Sequence, residues 1–206
     1  AGMTRDTAVW GRAAMQLRPN LSVSAKLAHS ERSNSGYGSA TWVTPAENSL
    51  MRKYHLADRR RDAVSLRADM NVTEALAVGL NLDASNDRYT NTTIGLTDGR
   101  SLSLGGDLSM AVNDETQVRA FAQVERQRSS QAGSSLAALP DWWAQNKDAV
   151  DVIGVGVKHS ALKGKLELGA DLSYTRSRSD ALIDAGSSAG PVFPTATTSL
   201  DSVKLH

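Results

Sequence analysis

The sequence has no cysteine, no long hydrophobic run and almost no net charge. The lack of cysteine excludes disulfides, thiolate metal sites and covalent haem attachment through a CxxCH motif. No stretch approaches the ~18 apolar residues of a membrane-spanning helix. The net charge of +1 gives no electrostatic reason to expect a nucleic-acid partner. A mean hydropathy of -0.33 suggests a soluble protein, but an outer-membrane β-barrel has a similar average because its interior face is polar.

Motifs that carry chemistry are also absent. The histidines have neither HxxxH nor HExxH spacing, and no GxSxG motif occurs. The four histidines are His29, His55, His159 and His206. The glycine pairs at 36–38 and 154–156 lack the strand–helix context of a phosphate-binding loop. We therefore expect no catalytic, cofactor or metal site in this chain, and we predict that it is not an enzyme.

The feature that is present is a strict alternation of apolar and polar residues between Ala63 and Glu125. The apolar residues all stand at even positions: Val64, Leu66, Ala68, Met70, Leu76, Val78, Leu80, Leu82, Ala84, Leu102, Leu104, Leu108, Met110, Val118, Ala120, Ala122 and Val124. Most of the odd positions between them are polar. A period of two over about ten residues, repeated four times, predicts strands with one apolar and one polar face.

The same pattern predicts about nine strands along the chain. Their approximate bounds are 7–17, 21–29, 62–70, 75–85, 101–111, 116–128, 150–159, 165–178 and 199–206. Within 150–159 the apolar phase changes to odd positions, and within 165–178 it returns to even ones. Strands of ~9–11 residues match the length that crosses a bilayer when tilted.

The connections between these strands alternate between short turns and long polar segments. The long segments cover about 30–61, 86–100, 129–148 and 179–198. A β-sandwich usually has moderate loops at both ends, whereas short turns at one end and long loops at the other are typical of an outer-membrane barrel. We therefore predict an all-β fold: an antiparallel up-and-down transmembrane β-barrel in the bacterial outer membrane. The whole chain, 1–206, forms one partial barrel domain in this interpretation.

The two faces of the predicted strands differ in charge and in size. On the apolar face of six of the strands no charged residue interrupts the apolar run, as expected when a charge at the bilayer midplane costs ~2–4 kcal/mol. The polar face is rich in Gly, Ala and Ser, which suits a lumen filled by another body. The candidate lumenal contacts are Ser65, Arg67, Asp69, Asn81, Asp83, Ser103, Asp107, Arg119, Gln123, Glu167 and Asp171. The alternative is a half-solvated sheet in a soluble protein.

Two strands carry an Arg-x-Arg pair where their apolar phase stops. These pairs are Arg126 with Arg128 and Arg176 with Arg178. Placed just above the membrane, they would form a basic rim that meets the anionic head groups of the outer leaflet. The alternative is that they are solvated loop stems.

Aromatic residues are too few for the usual aromatic girdles of a barrel. Trp10 and Tyr174 are the candidates for such a girdle. Trp142 and Trp143 fall in a predicted loop, where they would either anchor a partner or form a small core of the loop itself.

Three segments resemble one known family. They are RKYHLADRRRD at 52–62, GLTDGRSLSLGGDLS at 95–109 and DVIGVGVKHSALKGKLELGADLSYTRS at 151–177. In this order they are similar to the MtrB/PioB family of outer-membrane β-barrel proteins. The resemblance implies a barrel of well over twenty strands that encloses a periplasmic multihaem c-type cytochrome. It also implies an extracellular multihaem cytochrome at the loops, with haem carried by these partners and none by the barrel.

The resemblance also implies that more of the barrel exists than this chain contains. A CxxC motif near the N-terminus of part of the family is absent, and no signal peptide precedes Ala1. About nine strands could not close around a cytochrome. We therefore expect an internal to C-terminal portion of a larger barrel. The alternative functions are a general diffusion pore or transporter barrel and, less favoured, a soluble β-sandwich binding module.

Overall fold

The computed structural model describes residues 3–38, 46–135, 139–184 and 196–205, which form one β-sheet. The strands are β1 Met3–Arg18, β2 Leu21–Ser35, β3 Met51–Arg52, β4 Arg59–Asn71, β5 Leu76–Arg88, β6 Ile94–Asn113, β7 Thr116–Gly133, β8 Trp142–Ala161, β9 Leu166–Asp184 and β10 Ala196–Leu205. A 3₁₀ turn at Leu162–Gly164 joins β8 to β9. Within these ranges no helix is both long and apolar enough to cross a membrane.

Strands that follow one another in sequence pair with one another. The order across the sheet is β1-β2-β4-β5-β6-β7-β8-β9-β10, with every neighbouring pair antiparallel. The short β3 lies off this path and pairs in parallel with the first residues of β6. In the described residues β1 and β10 are not paired, so the sheet is open. The predicted antiparallel up-and-down sheet is confirmed.

The strands are longer than the sequence pattern predicted, and this corrects the predicted loops. Residues assigned to the loops at 86–100 and 129–148 continue the pairing of β5 to β8 as far as Arg88, Ile94, Gly133 and Trp142. The period of two disappears there because both faces are polar, although the backbone ladder continues. The connections that remain are 36–58, 89–93, 134–141 and 185–195. Residues 185–195 of the last predicted loop, and His206, lie outside the described residues.

The longest strands exceed the length that a bilayer core requires. β6 and β8 each have 20 residues. At ~3.3 Å per residue and a tilt of ~45° they rise on the order of 45 Å, which exceeds the ~30 Å of a bilayer core. The short turns at 19–20, 72–75, 114–115 and 162–165 all lie at one end of the sheet. The projecting end is therefore the one with the longer connections.

The register confirms the change of apolar phase in β8. Val118 pairs with Val157, and Ala120 pairs with Val155. Residues directly opposite one another in a sheet point to the same face, so odd positions of β8 join even positions of β7. The alternating apolar residues of the long strands thus lie mostly on one face, which we call the apolar belt.

The membrane part of this sheet has no buried core. The buried hydrophobic residues among those described are Ala57, Ile94, Ala132 and Ala144, all near the loop end. In the apolar belt, by contrast, Leu80 is 56% exposed, Leu104 51% and Ile153 56%. An apolar face of this extent is not stable against water, so it requires a covering medium such as lipid.

Candidate functional site: the lumenal wall and the outer rim

The register places all eleven candidate lumenal residues on the face opposite the apolar belt, which we call the lumenal face. They lie in cross-strand rows that follow the register of β4 to β9. These rows are Ser65–Asp83–Ser103, Arg67–Asn81–Gly105–Gln123, Asp69–Gly79–Asp107, Ser109–Arg119–Gly156–Asp171 and Ser160–Glu167. Their contact with a partner stays a prediction.

Arg67 links two of the lumenal carboxylates. Its Nη2 lies 2.6 Å from Oδ1 of Asp69 and its Nε donates to Oδ2 of the same residue at 3.0 Å. The same Nη2 reaches Oδ1 of Asp107, two strands away, at 3.4 Å. The guanidinium therefore lies along the wall instead of extending from it.

A second group of paired charges lies nearer the short turns. Arg119 donates from Nη2 and Nε to Oδ1 of Asp171 at 2.7 and 3.1 Å. Lys158, which the sequence pattern did not single out, pairs with Glu167 at 2.9 Å. The two pairs line a cavity of about 460 Å³ on the lumenal face. Opposite charges are paired here too, so these four groups add little net charge to the lumenal face.

The uncharged lumenal candidates also contact other residues of the wall. Gln123 donates from Nε2 to Oγ of Ser103 at 3.0 Å. Ser65 lies directly opposite Asp83, which in turn lies opposite Ser103. The remaining candidate, Asn81, lies over a glycine of the next strand.

Two lumenal glycines provide the space in which these side chains lie flat. A Cβ atom on Gly79 would stand 2.6 Å from Oδ1 of Asp107, and one on Gly105 would stand 2.5 Å from Oδ1 of Asn81. Real Cβ atoms do not approach other atoms so closely, so any larger residue would displace the side chain above it. Neither glycine has a positive φ, so the need for glycine is spatial and not conformational.

The same arrangement recurs on β8. A Cβ atom on Gly156 would clash with Asp171 and would stand 2.8 Å from Nε of Arg119. A Cβ atom on Gly154 would stand 2.5 Å from the ring of Phe121. On the lumenal face, a glycine of one strand thus lies beneath a longer side chain of the neighbouring strand. These side chains therefore project little into the lumen, and we call this arrangement the low lumenal surface.

The predicted basic rim lies on the outward face, on the loop side of the apolar belt, and its arginines differ in their partners. Arg126 pairs with Asp151 at 2.7 Å, and Arg178 with Asp180 at 3.3 Å. Arg176 lies 3.9 Å from Asp201. Since these three are paired to carboxylates, they are less available to head groups than the sequence suggested.

The fourth rim arginine has a different environment. Arg128 stands directly opposite Arg100 on β6 and Lys147 on β8. The sequence pattern missed Arg100 and Lys147 because both were assigned to loops. Only the register, which continues the strands through these positions, brings the three cations together.

Two titratable groups on the loop side of the belt have shifted pKa values. The pKa of His29 is raised, chiefly because the Asp62 carboxylate lies 2.7 Å from its Nδ1. The pKa of Asp180 is lowered, chiefly because the hydroxyl of Thr197 donates to its Oδ1 at 2.7 Å and then because of Arg178. Both shifts favour the charged form of the group, the imidazolium of His29 and the carboxylate of Asp180.

The aromatic residues are placed differently from the prediction. Trp10 is wrong as a girdle residue, because it lies on the lumenal face with Nζ of Lys26 5.4 Å from its ring centre. Trp142 and Trp143 are in β8 and not in a loop. The Trp142 ring covers Gly133, where a Cβ atom would clash with it.

Tyr174 is on the apolar face, as a girdle residue would be. Its row contains Ile153 and Val203. Its hydroxyl donates to Oδ1 of Asp201 at 2.6 Å. Within the described part of the chain, no group of three His, Cys, Asp or Glu side chains is arranged to hold a metal ion.

Comparison with known proteins identifies the family. The model of the family described as outer membrane beta-barrel porin, MtrB/PioB, matches residues 2–206. The chain belongs to the MtrB/PioB family. It is 32% identical over 184 residues to the outer membrane protein MtrB of Shewanella baltica strain OS185. That alignment covers 89% of this MtrB/PioB chain and 26% of the relative, so the chain spans about a quarter of the relative's length.

Solved structures of outer-membrane receptors have the same fold as this MtrB/PioB chain. The ferric-catecholate import receptor Fiu of E. coli K12 matches with a TM-score of 0.64 at 10% identity, over 98% of this chain and 43% of that one. The ferric yersiniabactin uptake receptor FyuA of Yersinia pestis matches with a TM-score of 0.58 at 9% identity, over 98% and 34%. The predicted family, fold class and outer-membrane location are confirmed. MtrB/PioB is a family of porin-like barrel proteins and not an enzyme family.

Proposed function

We propose that this section of barrel wall belongs to a sheath that encloses a multihaem c-type cytochrome and positions it for electron transfer across the outer membrane. The observation that supports this function most is the low lumenal surface. Arg67, Asn81 and Arg119 lie flat across glycines instead of pointing into the lumen.

A flat wall suits a protein occupant better than water. In an open aqueous channel, long charged side chains gain hydration by extending away from the wall. Here the guanidinium groups of Arg67 and Arg119 are held to the wall by bonds of 2.6 and 2.7 Å. Small residues and buried glycines then allow the backbone to approach an enclosed protein closely, as Gly does at other tight contacts.

The paired charges support the same function. Pores that select ions use rings of charged side chains of one sign. On this lumenal face, Arg67 lies between Asp69 and Asp107, and Arg119 is paired with Asp171. Such paired groups offer hydrogen bonds to an enclosed protein and add little net charge of their own.

The two faces would then have separate tasks. The apolar belt holds the wall in lipid, and the lumenal face keeps the haem chain of the periplasmic cytochrome aligned and insulated from that lipid. The haem would be carried by the partner cytochromes. The part of the wall beyond the membrane, with its connections, would shape the docking surface for an extracellular cytochrome.

The test uses the full-length parent barrel extracted from outer membranes in mild detergent. We expect it to co-purify with a haem-staining protein in a fixed ratio, and to conduct ions poorly in planar bilayers while that protein is bound. A barrel that purifies without haem and conducts freely would contradict the sheath. That result would favour the general diffusion pore or transporter.

A further inference from the structure

On the outer face, three cations stand next to one another in one cross-strand row. Arg100, Arg128 and Lys147 stand directly opposite one another on β6, β7 and β8, and all three are exposed. They lie on the loop side of the apolar belt. Among the residues that the structure describes, no carboxylate is within ion-pairing distance of any of the three.

The carboxylates nearest to this row in the sheet are engaged by other groups. Asp98 accepts hydrogen bonds from the hydroxyls of Ser130 at 3.2 Å and Thr97 at 3.1 Å. Asp180, directly opposite Lys147, is engaged chiefly by a hydroxyl of β10 and by Arg178, and it interacts with Lys147 only through a weaker electrostatic attraction, without an ion-pair contact. Asp98 and Asp180 therefore lower the positive potential near the row without neutralising its three cations.

A row of this kind is unfavourable on its own. Like charges directly opposite one another on a sheet destabilise it. In the next row toward the apolar belt, by contrast, Arg126 is paired with Asp151 at 2.7 Å and Arg178 with Asp180 at 3.3 Å. A bound anion would convert the repulsion within the row of three into three charge-assisted hydrogen bonds.

The row lines a cavity that fits a small anion. This cavity has a volume of about 290 Å³, and its other outward-facing walls come from Asp98, Ser130 and Gln145. Two guanidinium groups present planar forks that match the oxygens of phosphate, and a nearby ammonium adds a point charge. Phosphate is therefore the chemistry that the row fits best.

An apolar groove begins one strand away from the row. It has a volume of about 720 Å³, within the ~300–1,000 Å³ of small-molecule sites. Its apolar walls include Val9, Gly11, Leu27 and Val64, and its polar end includes Asn86. Asn86 is the direct cross-strand neighbour of Arg100. A hydrocarbon chain in the groove could thus belong to the same molecule as a phosphate on the row.

We propose that Arg100, Arg128 and Lys147 bind the phosphate of an acylated glycolipid of the outer leaflet, with an acyl chain in the adjacent groove. The apolar groove and the position at the edge of the apolar belt favour a lipid over free phosphate. The site is on the outside of the wall. It therefore does not depend on the proposed cytochrome in the lumen.

The test places the purified full-length barrel in nanodiscs of phosphatidylcholine and titrates lipopolysaccharide as the probe, with bound lipid counted by native mass spectrometry. Arg128→Gln should weaken binding about tenfold, the order expected for one lost charge-assisted hydrogen bond. The triple variant R100Q/R128Q/K147Q should bind no more than background. Heat-modifiable mobility on SDS gels verifies that each variant is folded.

A matched control removes the same charge from three paired arginines of the outward face, in the variant R60Q/R126Q/R176Q. It should keep most of the wild-type affinity, because those side chains are engaged by carboxylates outside the row. Equal losses in the two triple variants would show that only the overall charge matters, and would overturn the site.

Two further arms identify the source of the phosphate. A probe without its phosphates should bind at least tenfold more weakly, and inorganic phosphate at millimolar concentration should not displace the intact lipid. Displacement by inorganic phosphate would reveal a free-anion site and overturn the lipid. Ala84→Phe, which fills the groove, should weaken binding of the acylated probe, whereas an unchanged affinity would overturn the acyl-chain part of the proposal.

Discussion

Gly105 and Gly106 offer a direct test of the low lumenal surface. They are adjacent on β6 and face opposite sides of the wall. We consider leucine at each position. A Cβ atom at 105 would stand 2.5 Å from Oδ1 of Asn81, whereas a Cβ atom at 106 would stand 3.3 Å from Cδ2 of Leu80. Both changes remove the entropic penalty of glycine in a strand, so that effect cancels between them.

The two variants should differ in how well the lumen is occupied. Gly105→Leu lifts Asn81 off the wall and adds its own side chain to the lumen. Overpacking of a close contact costs ~1–3 kcal/mol. Because 1.4 kcal/mol corresponds to a factor of ten, affinity for the enclosed cytochrome should fall roughly 5- to 150-fold. Gly106→Leu only adds apolar surface to the lipid face and should leave that affinity unchanged.

The assay measures haem absorbance per barrel after detergent extraction, over a range of cytochrome concentrations. Heat-modifiable mobility on SDS gels shows in parallel that both empty barrels are folded. If the two leucine variants retain the cytochrome equally well, the lumenal face does not contact it at this row. If only Gly106→Leu loses the cytochrome, the lumenal and lipid faces have been assigned the wrong way round.

Three further predictions concern the apolar belt, a titration and an ion pair. Leu104→Arg should destabilise the barrel in vesicles by ~2–4 kcal/mol, measured by urea titration, while the adjacent Ser103→Arg on the lumenal face should change stability by less than 1 kcal/mol. Equal losses would contradict the belt. The raised pKa of His29 means that its imidazolium adds stability below about pH 6.5, and that this is lost as pH rises through the folded value. Asp62→Asn should lower that pKa in an NMR titration of labelled histidine, and an unchanged titration would exclude the contact. A double-mutant cycle of Arg119→Ala with Asp171→Ala should give a coupling of only ~0.2–1 kcal/mol because the pair is exposed; a coupling several times larger would show that the lumenal wall is dehydrated in the empty barrel.

The sequence predicts well which residues lie on each face of the sheet, because successive side chains of a strand point to opposite faces. Once a strand is recognised, the period of two assigns Leu104 to one face and Ser103 to the other without any knowledge of neighbours. The odd phase of β8 could be read in the same way. The predicted strands ended too early because the alternation of apolar and polar residues disappears around Arg100 and Lys147, where both faces of the sheet are polar.

Contacts between strands could not be predicted, since they depend on register. Arg67 and Asp107 are 40 residues apart, and their contact exists only because Gly79 stands between them on β5. One residue of slip would move every side chain to the other face. Trp10 shows the same limit: its aromatic character suggested a girdle, while its position in the row with Ala28 places it in the lumen.

The glycines of the lumenal face connect the fold to the proposed function. A glycine in a strand weakens it, and Gly79, Gly105 and Gly156 occupy strands of a sheet that has no buried core in its membrane part. Folding alone would favour β-branched residues at these positions. Each glycine instead accepts a polar side chain from a neighbouring strand, and those side chains thereby stay out of the lumen. A water-filled channel gains nothing from this arrangement, whereas a wall that a protein must approach closely does.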